Sequence, residues 1–344
     1  MHTCIDTNEK KRMDWIDLVK VIASFMVVFQ HSISHIWTSC SPESLLWKAS
    51  HFPFIFSRCA VLLFFMCSGA TMLQKERDLN TLFRKNIFSL LKVYFCWMII
   101  FGMVSCISLY QENLASIRTC VNAIAKSILF GHYHTWFIFT LIGLYLITPF
   151  LSLIVQDTFR MRYFLLLSFV FSICIPMFQN MGLLERFSNT LNSIDISFVL
   201  GYVLYYVLGY RISKMEWKSQ YTIISVIAFI VSLGASCFIT MFHSLQTGSA
   251  TQALLGDFSI LTFFMTISLF AIFKSMEQMK ISSIVSKISF LGFGIYLMHP
   301  LFLDYINKVT NFKIFVVIPL FYLFCIVICY LINKIKLFSF LFLK

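Results

Sequence analysis

Long apolar runs, separated by short polar segments, follow one another along the whole chain. Ten of them, at 16–37, 54–74, 87–109, 134–154, 163–179, 195–212, 222–242, 253–273, 288–306 and 314–333, are continuously hydrophobic rather than alternating. A helix needs about 20 apolar residues to cross the hydrocarbon of a bilayer. Inside lipid the backbone must satisfy its own hydrogen bonds, so only helices or closed barrels span it. Barrel strands would show a period of two, and these runs do not. The pattern predicts an all-α, polytopic membrane protein of about ten transmembrane helices. No internal repeat, low-complexity tract or long linker interrupts them, so residues 1–344 are expected to form one transmembrane domain.

The first run resembles a secretory leader only superficially. Lys10, Lys11 and Arg12 precede it, but it is long, carries Asp17, Lys20 and His31, and ends without a small-residue cleavage pattern. It is expected to stay as the first membrane helix.

Composition sharpens the picture. Of 344 residues, 59% are hydrophobic and 12% charged, with 40 Phe among them. A soluble domain carries roughly a quarter charged residues, so a soluble enzyme is excluded and membrane lipid is the solvent. The net charge of +12 would suggest nucleic acid for a soluble domain. In a polytopic protein it reads as the excess of Lys and Arg on cytoplasmic connections, and no nucleic-acid partner is expected. With the N-terminus inside, the cytoplasmic connections hold Lys10, Lys11 and Arg12; Lys75, Arg77, Arg84 and Lys85; Arg160 and Arg162; Arg211, Lys214 and Lys218; Lys274, Lys280 and Lys287; and Lys334, Lys336 and Lys344. The opposite connections hold only Lys48, Arg118, Lys126, Arg186, Lys308 and Lys313. Both termini are therefore expected in the cytoplasm. The 11 Cys are scattered, with no C-x-x-C, and read as small apolar packing residues rather than a disulfide framework or metal site.

Ionisable groups inside these runs need a reason to be there, since each costs ~2.5–3.5 kcal/mol at mid-bilayer. Lys20 and His31 are 11 residues apart on the first run. Eleven steps of about 100° return to nearly the same helix face, about 16 Å further along. Asp17 lies one turn before Lys20 and His35 one turn after His31. On spacing alone, a snorkelling lysine and a histidine satisfied by a carbonyl would also serve. Other runs add to each level. Arg58, His132, His134, Asp257, His299 and Asp304 fall toward the end that bears His31, and Arg84, Lys92 and Lys287 toward the end that bears Lys20. The first set suits acid–base chemistry and the second a polyanionic ligand. Arg58 and Asp257 can also simply pair.

The segment RMDWIDLVKVIASFMVVFQH, residues 12–31, resembles the start of membrane-bound acyltransferase family 3, which has a basic residue, ten intervening residues and a His in its first helix. Here the pair is Lys20 and His31. FFMCSGATML at 64–73, HYHTWFIFTLIGLYLITPFL at 132–151 and ISFLGFGIYLMHP at 288–300 are similar to later motifs of that family, in the same order. Asn86, Ser89 and Val93 stand where the family usually shows Arg, Arg and Pro. The sequence stops at Lys344 and so resembles the standalone form, without an extra extracytoplasmic domain.

The resemblance implies transfer of an acyl group, most often acetyl, from acyl-CoA to a hydroxyl of a surface polysaccharide or a lipid-linked glycan precursor. It places the protein in the plasma membrane. Acyl-CoA would be a co-substrate, with no bound cofactor and no metal. His31 would act as general base or transient acyl carrier, since imidazole suits that task near neutral pH. Lys20, with Arg84, would face the CoA phosphates. Asp17, Arg58, His134, Trp136, Tyr296 and His299 would complete the binding site. The competing class is a transporter or flippase of a glycan or lipid-linked intermediate, which also places charge at mid-membrane; the absence of an internal repeat argues against it.

Overall fold

In the computed structural model the apolar runs are helices, because a helix is the only open element that satisfies its own backbone in lipid. The structure describes residues 13–114, 116–182, 196, 201–252, 255–335 and 341–342. Among these, no strand occurs. Eight helices are long and apolar enough to cross a bilayer. They are α1 (Asp14–Ser39), α2 (Leu45–Met72), α3 (Leu79–Gln111), α5 (Trp136–Gln156), α6 (Thr158–Asn180), α8 (Ser219–Thr247), α10 (Ser283–Ile306) and α11 (Ile314–Lys334). Three shorter helices lie between them among the described residues: α4 (Ile117–Phe130), α7 (Val203–Ser213) and α9 (Ile260–Lys274).

Two of the ten expected spans are thus shorter than their apolar runs. The run at 253–273 becomes helical only at Ile260, where Ser259 caps the helix by accepting from the Thr262 amide at 3.2 Å. Asp257 therefore precedes α9 and sits on irregular backbone, which a membrane tolerates only where it lines protein or a cavity. The run at 195–212 is helical from Val203, and 195 and 197–200 lie outside the described residues.

Other boundaries move outward. The second helix begins at Leu45, nine residues before the apolar run, behind a Ser44 cap. Lys48 and His51 interrupt the hydrophobic run, yet the helix passes through them: Lys48 is exposed, whereas His51 is buried and its Nε2 lies 2.9 Å from the Cys237 carbonyl. A carbonyl only accepts, so Nε2 carries the proton and Nδ1 accepts from the Trp37 indole at 3.3 Å. The third helix begins at Leu79 and spans 33 residues, about 50 Å at 1.5 Å per residue. That exceeds the hydrocarbon, and Arg84 and Lys85 ride its first turns instead of a loop. α4 corresponds to no expected span. A reciprocal Ser116–Thr119 capping box starts it, and Gly131 at φ 65° ends it.

α1 lies at the centre, packed against α2, α9, α10 and α11. It runs parallel to α10 in one register. Ser289 Oγ donates to Asp17 Oδ1 at 2.7 Å, Gly292 faces Ser24, and His299 meets His31. Ser24 Oγ also pairs with Tyr322 Oη of α11 at 2.6 Å. These polar ties fix the central helix in a lipid-like interior where apolar contact alone gives little register.

Helices α2 and α7 approach each other closely at two glycines. A Cβ on Gly69 would sit 1.7 Å from the Tyr206 carbonyl oxygen, and one on Gly209 2.1 Å from that of Met66. Backbone cannot yield as a side chain tip does. Gly69→Ala and Gly209→Ala are each expected to destabilise by about 1–3 kcal/mol or more, as overpacking does, and the measurement is thermal unfolding in detergent. Gly143→Ala, where a Cβ meets nothing within 4 Å, should leave the melting temperature unchanged.

Candidate active site

Three cavities succeed one another along α1. The first, of about 450 Å³, is bounded by Asp17 and Lys20 of α1, Ser68 and Thr71 of α2, Tyr145 of α5 and Phe293 of α10. Most of its remaining wall is aromatic or aliphatic. Lys20 has no hydrogen bond or ion pair among the described residues. Tyr296 of α10 closes the far end, and the same side chain lines the second cavity. This one, about 170 Å³, is formed by Gln30, His31, Arg58, Tyr133, His134, Trp136 and Asp257. His31, Gln30, Arg58 and Tyr133 also line the third, of about 450 Å³, with Asp304 and Asn307 beyond them. His31 thus stands where the second and third cavities meet, and Tyr296 where the first and second do.

The hydrogen bonds assign the imidazole tautomers. His299 Nδ1 lies 3.3 Å from the Ile295 carbonyl. Since that oxygen only accepts, Nδ1 carries the proton and Nε2 offers a lone pair. His31 Nδ1, 3.2 Å from that Nε2, must then donate to it. Tyr133 Oη, 3.3 Å from His31 Nδ1, shares the same proton. The result leaves His31 Nε2 unprotonated and without a hydrogen-bond partner among the described residues, on a side chain that lines the second and third cavities. A carbonyl that orients one imidazole, which orients another, is the arrangement that makes a base out of histidine.

The opposite wall is held by charge. Arg58 Nε donates to the Leu255 carbonyl at 2.9 Å, and Nη2 stands 3.6 Å from Asp257 Oδ1. The Gln30 amide oxygen accepts from Arg58 Nη1 at 2.8 Å while its nitrogen donates to the Ser57 carbonyl. Tyr202 Oη donates to Asp257 Oδ2 at 2.8 Å. The irregular segment before α9 is therefore tied to α2 and α7 by one guanidinium and one carboxylate.

His134 is 1% exposed, yet neither ring nitrogen has a hydrogen-bond partner among the described residues. Burial, then the neighbouring His31 and His132, push its imidazole down from 6.5 to about 3. Its carbonyl accepts from Tyr296 Oη. Gly131 at positive φ turns the chain so that the connection from α4 to α5 delivers Tyr133 and His134 to the same pocket.

Eight of the nine sequence-derived site residues come together in this way. Lys20 and Asp17 fall at the first cavity, Tyr296 at the divide, and His31, His134, Trp136 and Arg58 at the second, with His299 behind His31. Asp17 is 8% exposed and accepts from Ser286 and Ser289, so it joins α1 to α10 as well as facing the cavity. Arg84 is exposed and lines none of the three cavities; Lys92 and Lys287 are exposed too. In their place Arg77 reaches the first cavity's edge, its Nη2 donating to the carbonyl of Thr71. Sequence reasoning missed Gln30, Tyr133 and Tyr202. The first adjoins His31 and the second lies between His132 and His134, which were signals of a kind. Tyr202 gave none, since a tyrosine in an apolar run reads as an interfacial aromatic.

The family model described as an acyltransferase domain, that of acyltransferase family 3, matches residues 13–334. No curated protein and no solved structure matches the chain.

The state of His134 has a consequence for stability. The unfolded chain binds a proton at this imidazole below about pH 6.5, whereas the folded one refuses it down to about pH 3. Stability should fall as pH drops through that window, by about 1.4 kcal/mol per unit from this group. Unfolding midpoints at pH 7.5 and 5.5 should therefore differ more for the wild type than for His134→Gln. Equal pH dependence in the two proteins would contradict the assignment.

Proposed function

The chain belongs to acyltransferase family 3 and is a multi-pass membrane acyltransferase, and we propose that it transfers an acetyl group from acetyl-CoA to a hydroxyl of a cell-surface polysaccharide or lipid-linked glycan precursor at the plasma membrane. The observation that carries this reading is the position of His31, its Nδ1 held by His299, between a cavity lined by the Lys20 cation and a pocket rich in hydrogen-bonding groups.

The donor enters from the Lys20 end. A mostly apolar cavity suits an extended thioester arm, and an unpaired ammonium at its mouth suits the CoA phosphates. The thioester carbonyl must then pass Tyr296 to reach His31. The acceptor comes from the side of Asp304 and Asn307, where its hydroxyls find Arg58, Gln30, Tyr133 and Asp257. Trp136, 39% exposed and tilted against Tyr202, offers a face to a sugar ring.

His31 Nε2 takes the proton from the attacking hydroxyl as its oxygen adds to the thioester carbonyl. Positive charge on the imidazolium spreads through Nδ1–H to His299 and Tyr133. The tetrahedral intermediate collapses, the C–S bond breaks, and the proton passes to the departing thiolate. A positioned general base contributes about 10²–10⁴ in rate. The same nitrogen is also the one that would carry the acyl group if transfer runs in two steps.

The test is incubation of purified protein with isotope-labelled acetyl-CoA and candidate surface polysaccharide, followed by mass analysis of the glycan. Labelled O-acetyl ester on the glycan is the expected product. Lys20→Ala should raise the KM for acetyl-CoA by about tenfold or more, the scale of one charge-assisted contact, with the acceptor KM little changed. No labelled glycan, or an unaltered donor KM in that variant, would overturn the assignment of donor and cavity.

A further inference from the structure

We propose that Cys106 of α3 and Cys120 of α4 form a disulfide that staples α4 to the bundle. The two helices make an antiparallel hairpin with a short connection between Gln111 and Ile117. Its register is regular. Gly102 faces Ile124 so closely that a Cβ on the glycine would sit 2.6 Å from Ile124 Cα. Ser127 Oγ donates to the Met98 carbonyl at 2.8 Å. One turn toward the connection from the Gly102–Ile124 contact, the same register sets Cys106 opposite Cys120. Cys106 Sγ lies 3.5 Å from the Cys120 carbonyl, so the two residues face each other across the hairpin. A disulfide requires two cysteines that face each other from neighbouring backbones, which this register supplies.

Both cysteines are partly exposed and close to the polar end of the hairpin, where a soluble oxidant reaches them. The described cysteines of the core, Cys59, Cys67, Cys325 and Cys329, are buried. With the Lys- and Arg-rich connections in the cytoplasm, this hairpin turn faces the opposite side, where disulfides persist. A staple also has work to do here. α4 packs mainly on α3, and Ser127 is its one buried residue, so a staple between these two helices would fix the helix whose C-terminal end delivers Tyr133 and His134 to the pocket.

The chemistry is thiol–disulfide exchange with a protein or small-molecule disulfide oxidant. One thiolate attacks the oxidant's disulfide and expels a thiol, and the second cysteine resolves the mixed disulfide. Two thiols lose two protons and two electrons, and the oxidant is reduced to two thiols.

The test uses the full-length protein in its membranes, quenched with acid and excess maleimide at harvest, then digested without reduction. A peptide linking Cys106 to Cys120, lighter than the two thiol peptides by two hydrogens, is expected. It should vanish in Cys120→Ser, in which Cys106 becomes alkylated. Finding both cysteines alkylated in the unreduced wild type, or either one linked elsewhere, would overturn the proposal. The outcome is independent of the acyl-transfer reading.

Discussion

The hydrogen bond between His31 and His299 depends on a register that neither histidine sets. α1 and α10 run side by side in the same direction, and a shift of one residue would carry every facing pair out of line. Asp17, which accepts from Ser286 and Ser289 at one end, ties α1 to α10 in that register, and Ser24 with Tyr322 ties the middle of α1 to α11. In lipid, where apolar surfaces slide against each other at little cost, such polar ties are what specify a single arrangement. They bring the two imidazoles within 3.2 Å, and from there the Ile295 carbonyl decides which nitrogen of His31 remains a base. The catalytic reading thus rests on packing between two helices more than on any residue in the cavities.

A second constraint follows from the cavities themselves. In the proposed reaction, a donor soluble on one side and an acceptor on the other would meet without opening a water path between them. Tyr296 borders both the first and second cavities, and its hydroxyl is latched to the His134 carbonyl. It is buried and three residues before His299 on the same helix, so the divide and the orientation of the base share one element. In that proposed reaction, water kept from the thioester would leave the acceptor hydroxyl as the available nucleophile.

Much of this was legible in the sequence, for physical reasons that can be named. Continuous apolar runs give membrane helices because lipid admits little else, and the spacing of Lys20 and His31 gave their shared face. Boundaries set by caps were less legible: Ser44 and Ser259 start helices at places hydrophobicity does not mark. Asp257 consequently left its expected helix for the irregular segment that Arg58 holds. Arg84 went astray because α3 extends below the hydrocarbon and turns it outward, while Arg77, whose guanidinium wraps back on the end of α2, took the place beside the cavity. α4 was invisible as a span since it is none. The tautomer of His31 lay beyond any one-dimensional reading, because it is decided by a carbonyl 264 residues away in sequence.

The most direct measurement is single-turnover acyl transfer by His31→Ala beside His35→Ala. His35 lies one turn further along the same helix and has no bond to His299 among the described residues. The account predicts that His31→Ala loses transfer by about 10²–10⁴, the contribution of a general base, with folding nearly intact, and that His35→Ala stays close to wild type. Substantial transfer in His31→Ala would contradict it and move the chemistry to His134 or His299.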